Sequence, residues 1–99
     1  MENLKELADR ADKILKEELK KDGIGYDIAG IRIYNAKSVG VQGDDRTYAY
    51  PAEIKLINDR KFIWKDDNEF YDFIARLSTR ITNEIREINR VTYLIGKKE

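Results

Sequence analysis

A chain of 99 residues, with Lys plus Arg and Asp plus Glu at 19 each, has room for one domain spanning 1–99 and no net field toward nucleic acid or an anionic membrane. It contains no Cys and no His. That excludes disulfides, a thiol nucleophile, thiolate metal sites and an ordinary hydrolytic triad. The sequence shows no signal-peptide pattern and no apolar run near the roughly 20 residues of a membrane span, so a cytoplasmic, non-membrane protein is expected.

The first predicted element runs from Asn3 to Lys21. Leu4, Leu7, Ala8, Ala11, Ile14, Leu15 and Leu19 recur at helical spacing and form one apolar stripe. Asn3 with Glu6 resembles a capping box, Lys20 and Lys21 suit the negative end of the helix dipole, and Gly23 is a natural stop. Gly30–Asn35 alternates Ile31 and Ile33 with Arg32 and Tyr34, as a half-buried strand does. A kink at Asn35–Lys37, where the alternation shifts, would let this strand continue into Val39–Val41 through a bulge.

Ser38–Tyr50 reads SVGVQGDDRTYAY, a short strand, a Gly-Asp-Asp turn and a longer strand. Val39–Gln42 and Arg46–Ile57 are therefore expected to pair as a hairpin. Along the second of these, Tyr48, Tyr50, Ala52, Ile54 and Leu56 share an apolar face, while Thr47, Ala49, Pro51, Glu53 and Lys55 share a mixed one. Pro51 lacks a ladder donor, which predicts an edge strand or a bulge. Asn58-Asp59 turns the chain into a short strand at Arg60–Trp64. Asp66 or Asp67 caps a second helix that extends to about Glu87, with Phe70, Phe73, Ile74, Leu77, Ile81, Ile85 and Ile88 as its core stripe. Arg90–Ile95 is a last strand.

This order, α-β-β-(β)-α-β, predicts an α+β fold: a two-layer sandwich with two helices on one face of a mainly antiparallel sheet. The uncovered face should be polar. Instead it retains several of Ala49, Pro51, Leu94, Tyr34 and Ile57. An apolar patch of this kind marks an interaction surface, and association of two sheets into a homodimer is the simplest use of it. Ala49, Pro51 and Leu94 are the interface candidates.

The hairpin is similar to the signature SVGVxGDxRxY of the C-terminal dimerisation domain of GMP synthase, the enzyme that aminates xanthosine monophosphate. Gly40, Gly43, Asp44, Arg46 and Tyr48 carry that motif. Leu7–Asp27 resembles the family's opening helix, Phe70–Val91 its second helix and Val91–Gly96 its closing strand. The resemblance implies a module whose sheets associate between two subunits, linked to GMP biosynthesis and able to meet GMP synthase subunits. The family's adenylating domain carries a phosphate loop of the form SGGxDS, which has no match here, so no catalytic residue is expected and the chain should not act as an enzyme alone. The family's Arg-Pro-Phe-Pro-Gly entrance and its closing KPPATIEWE are also unmatched. Lys98 alone stands in register with the family's substrate lysine. The alternative is therefore a trans-acting subunit that helps form the xanthosine monophosphate site of a split GMP synthase. No cofactor is expected.

Three other constellations have simpler readings. Gly40-Val-Gln-Gly43 fits the GxxG loop of K-homology domains, but that loop joins helices and this one lies in β sequence, so nucleic acid is not the expected partner. Asp44-Asp45 and Asp66-Asp67 read as a turn and a helix cap before a metal site. Arg76, Arg80, Arg86 and Arg90, interspersed with Glu84 and Glu87, read as a face of helical ion pairs before a phosphate site.

Overall fold

The computed structural model describes residues 4–35, 38–39 and 48–96, with side chains at 4–35 and 49–96. Its elements are α1 (Leu4–Asp22), β1 (Ile28–Ile33), β2 (Ser38–Val39), β3 (Tyr48–Asn58), β4 (Lys61–Phe62), α2 (Asn68–Glu84) and β5 (Ile88–Tyr93). The α+β sandwich expected from the sequence is what forms, with α1 lying chiefly on β1 and α2 on β5.

Helix α1 buries Leu7, Ala11, Ile14, Leu15 and Leu19, its expected stripe. It ends in a Schellman motif. Gly23 takes φ +66°, its N–H reaches the Lys20 carbonyl at 3.2 Å, and the Ile24 N–H reaches the Leu19 carbonyl at 3.0 Å. A residue with a Cβ resists that left-handed position, whereas Gly does not. Lys16 then ties the helix to the sheet, its Nζ donating to the Ala29 carbonyl at 3.2 Å and to Asp12 at 3.0 Å.

The sheet is built around β3. β1 pairs with it antiparallel from Ile28↔Ile57 to Ile33↔Ala52, and β2 pairs antiparallel through Ser38↔Ala49 and Val39↔Tyr48. From Ile33↔Ala52 to Ser38↔Ala49, five steps along one chain segment face three along β3, so the pairing slips between β1 and β2; the kink expected at Asn35–Lys37 falls largely on Ala36 and Lys37, outside the described residues. Pro51 sits opposite this slip. Its strand is central, with β5 on the other side, so the edge placement does not hold, but a register shift does fall at Tyr50/Pro51. A proline survives there because the ladder is interrupted where its N–H is missing, while its carbonyl still accepts from the Tyr34 N–H at 3.1 Å.

The β3–β4 connection is a two-residue turn. Asp59 and Arg60 both have positive φ, 53° and 66°, between the paired Asn58 and Lys61. β4 is only two residues long, where the sequence suggested Arg60–Trp64. Beyond Phe62 the chain leaves the ladder to bury Ile63, whose N–H still bonds the Leu56 carbonyl at 3.0 Å. Trp64 stays 54% exposed, against the rings of Phe70, Tyr71 and Tyr93.

Asp67 caps α2 as expected, its carboxylate accepting from the Phe70 N–H at 2.8 Å. The helix stops at Glu84, short of the expected Glu87, because the chain is needed elsewhere. Ile85 and Ile88 become core plugs, and the Glu87 carbonyl accepts from the Tyr50 N–H at 2.8 Å. β5 then runs parallel to β3, the one parallel pairing among the described strands. The core lies between sheet and helices, with Phe73, Leu15, Leu19, Ile54, Leu56, Leu77, Ile81, Ile85 and Ile88 its largest fully buried side chains.

Candidate functional site: the open face of the sheet

Strand alternation and register decide which residues face away from the helices. Ala52, Ile54 and Leu56 of β3 are fully buried inward, so their neighbours Pro51, Glu53, Lys55 and Ile57 point outward. Across from them, β1 presents Ile28, Gly30 and Arg32, paired with Ile57, Lys55 and Glu53. β5 presents Arg90 and Thr92, paired with Pro51 and Glu53, and its direction is continued by Leu94, whose N–H bonds the Ile54 carbonyl at 2.9 Å. No helix among the described residues covers this side.

Tyr34, Glu53 and Thr92 of this face have hydrogen-bond partners within the chain. The Tyr34 hydroxyl donates to Glu53 Oε2 at 2.7 Å, and the Arg32 guanidinium carbon lies 5.0 Å from the centre of the Tyr34 ring. The carboxylate holding its hydroxyl proton raises the Tyr34 phenol above its ordinary value. The Thr92 hydroxyl reaches the Ala52 carbonyl at 3.3 Å. Around this polar centre stand Ile28, 52% exposed, and the half-buried Ile57, Pro51 and Leu94. A shallow depression of about 410 Å³ lies between Ile28, Gly30, Arg32, Tyr34, Glu53, Lys55 and Leu94.

Of the interface candidates, Pro51 and Leu94 lie on this face, half-buried. Ala49 does not stand open beside them. It is only 5% exposed within the chain itself, next to the equally enclosed Tyr50. Of the signature hairpin, Gly40, Gly43, Asp44 and Arg46 fall outside the described residues, and Tyr48 is placed by its backbone pairing with Val39. Lys98 and Asp45 also fall outside them. Ile28 and Gly30 were not among the sequence candidates. Ile28 could have been found by extending the β1 alternation two residues toward the N-terminus, through Gly30.

The basic residues of the second helix have a different destination. Arg76 Nε donates to Glu18 Oε1 at 3.1 Å and its Nη2 to Asp22 Oδ2 at 2.6 Å. Arg80 reaches Glu18 Oε2 at 3.0 Å, Glu17 at 3.0 Å and Glu84 at 2.7 Å. Burial by itself raises the Glu18 carboxyl, but the hydrogen bonds from Arg76 and Arg80 outweigh it and hold the group below the ordinary glutamate value. Both guanidinium groups are thus engaged in clasping α1 to α2, which is the ion-pair reading, extended across two helices. At the other end of α2 the Asp66 carboxylate accepts from the Tyr71 hydroxyl and Asp67 caps the helix. No group of three or more Asp or Glu among the described residues is arranged to hold a metal ion, and no described helix is long and apolar enough to cross a membrane.

The described residues thus form a small α+β module with its helices on one side and a partly apolar open sheet on the other. The chain belongs to the GMP synthase C terminal domain family, whose sequence model matches residues 17–99. It is 44% identical over 91 residues to a glutamine-hydrolysing GMP synthase of Borrelia garinii, covering 89% of this chain and 17% of that protein. Comparable matches are the enzymes of Borreliella burgdorferi, 45% identical over 91 residues, and Gloeothece citriformis, 40% identical over 100 residues with 98% of this chain covered. The chain spans less than a fifth of the length of these relatives.

Proposed function

We propose that this chain is a non-catalytic dimerising module that serves GMP biosynthesis. The observation that carries the reading is the open sheet face, where Ile28, Ile57, Pro51 and Leu94 surround the Tyr34–Glu53 hydrogen bond. Burying such a surface gains roughly 25 cal/mol for each Å² of apolar area, before the costs of association and of desolvating the charges of Arg32, Lys55 and Arg90. Face-to-face pairing of two copies about a two-fold axis satisfies it. Family membership supports the link to GMP biosynthesis, since the matched relatives are GMP synthases. Sedimentation equilibrium at micromolar concentration tests the reading. A mass of about twice 11.6 kDa is expected, and a mass of 11.6 kDa overturns it.

The second reading is a subunit that completes a xanthosine monophosphate site through Lys98, and membership of a family whose matched relatives are GMP synthases supports it. Isothermal titration with xanthosine monophosphate separates the two, because a dimerising module on its own returns no binding heat. Nucleic-acid binding is disfavoured by the engagement of Arg76 and Arg80 with carboxylates.

A further inference from the structure

Among the described residues nothing accounts for a glycine at position 30. It lies mid-strand in β1 opposite Lys55, its φ is not in the left-handed region, and a Cβ added to it would meet no described atom within 4 Å. Glycine inside a strand weakens that strand and often marks a point of close approach by something else. Here the missing side chain leaves the floor of the 410 Å³ depression on the open face. Beside it, on the same strand and the same face, projects Ile28, the most exposed large apolar side chain of the sheet at 52%.

We infer that the depression over Gly30 receives Ile28 of a second copy of this chain, so that two Ile28 side chains and two Gly30 notches interlock reciprocally about the two-fold axis. The inference rests on the dimerising role proposed above and specifies how the two faces engage. A two-fold interface requires one patch to be complementary to itself, and a protrusion next to a hollow of matching character meets that requirement with the fewest residues. The rim favours an aliphatic side chain over a polar ligand. Tyr34 donates to Glu53, Arg32 covers the Tyr34 ring and Glu53 faces Arg32 across the strands, while Lys55, opposite Gly30, has a stem long enough to carry its charge to the edge of the hollow. Leu94, on the far side of the hollow, supplies an apolar wall, and Ile57 stands opposite Ile28 across the strands.

Gly30→Val, Gly30→Ala, Ile28→Ala and the double variant Ile28→Ala/Gly30→Val test this by sedimentation equilibrium, with circular dichroism melts of each. Valine suits a strand and finds no clash within the chain, so Gly30→Val is expected to fold while its dimer weakens about tenfold or more. Gly30→Ala should weaken it less, and Ile28→Ala should weaken it by loss of the interlocking side chain. The decisive arm is the double variant, in which the valine occupies the space the shortened partner side chain vacates. Its dimer should be tighter than that of Gly30→Val, a rescue that independent effects on folding would not produce. If Gly30→Val fails to fold, Gly30→Ala and its double with Ile28→Ala are compared in the same way. Wild-type dimerisation with unchanged affinity in the glycine variants, or strictly additive losses, overturns the interlock and leaves the dimer standing. A monomeric wild type overturns both.

Discussion

Glu18 Oε2 on the first helix lies 3.0 Å from Arg80 Nη1 on the second, and the Glu18 side chain keeps only 3% of its surface in contact with water. A carboxylate so enclosed is tolerable only because two guanidinium groups meet it, Arg76 at one oxygen and Arg80 at the other. The pair of helices is thus fastened at one edge by charge while their inner stripes are held by apolar packing.

Removing that carboxylate should loosen the helix pair. Glu18→Ala leaves both arginines with Asp22, Glu17 and Glu84 as remaining partners, so the loss is smaller than for a fully orphaned charge, about 1–3 kcal/mol. Glu18→Gln, which still accepts hydrogen bonds, should lose less. Urea melts at one fixed protein concentration measure both. Loss of less than about 0.5 kcal/mol in the alanine variant, the range of an ordinary surface change, would show that the clasp is decorative.

The same contacts set the acid limb of stability. Glu18 and Glu84 are held by their arginine partners below the ordinary value of 4.5 when folded, so their contribution is full above that pH and is lost as the pH falls through the lower folded values. Tyr93 sets part of the alkaline limb. Burial pushes its phenol up to about 12, and its hydroxyl donates to the Ile63 carbonyl at 2.5 Å. A raised folded value means stability that is complete below the ordinary value of 10 and declines as the pH rises toward 12. Thermal melts from pH 9 to 12 should show this decline in the wild type and a shallower one in Tyr93→Phe. Parallel curves would exclude the assignment.

The turn at Asp59-Arg60 carries a correctable strain. Both residues have positive φ, a region that disfavours side chains with a Cβ and that type I′ hairpins fill most readily with Asn-Gly. Arg60→Gly should therefore raise stability by about 0.5–1 kcal/mol, with Asp59→Asn adding little. A fall in melting temperature would mean that the Arg60 side chain makes a contribution larger than the strain it carries.

Two substitutions on β3 and after β5 should behave differently. Leu94→Lys places a charge on the open face and should give a folded monomer, whereas Ala49→Glu forces a charge into a position enclosed by the chain itself and should unfold it. Light scattering and circular dichroism on the two proteins distinguish these outcomes. A Leu94→Lys dimer as tight as the wild type removes Leu94 from the interface.

Much of this architecture is legible from residue spacing, because helices and strand faces are local periodicities. The stripe from Leu7 to Leu19, the Asp67 cap and the alternation from Tyr50 to Leu56 all follow from that periodicity. A slip of register between β1 and β2 was also legible, as a break in alternation. The parallel seating of β5 was not, since nothing local states which strand a strand will join. Glu18 looked like one more charge on a polar face, yet it stands four residues after Ile14 and three after Leu15, on the border of the buried stripe. A carboxylate there, with arginines four apart on the other helix, was the available signal. The enclosure of Ala49 depends on how β3 meets its surroundings near the register shift, which the alternation alone does not encode.

The seating of β5 has a consequence for the order in which the molecule can be made. Along the edge of β3 away from β1, β4 pairs at Ile57 and Asn58, and β5, which follows β3 by some thirty residues, pairs from Tyr50 to Ile54. A ribosome delivers chain at about 5–20 residues per second, so for a few seconds the Tyr50–Ile54 part of that edge has emerged with its amides and carbonyls unpaired. The stretch of β3 that β5 covers is thus the last part of the sheet to gain its partner, and a strand edge left open is where another chain can pair.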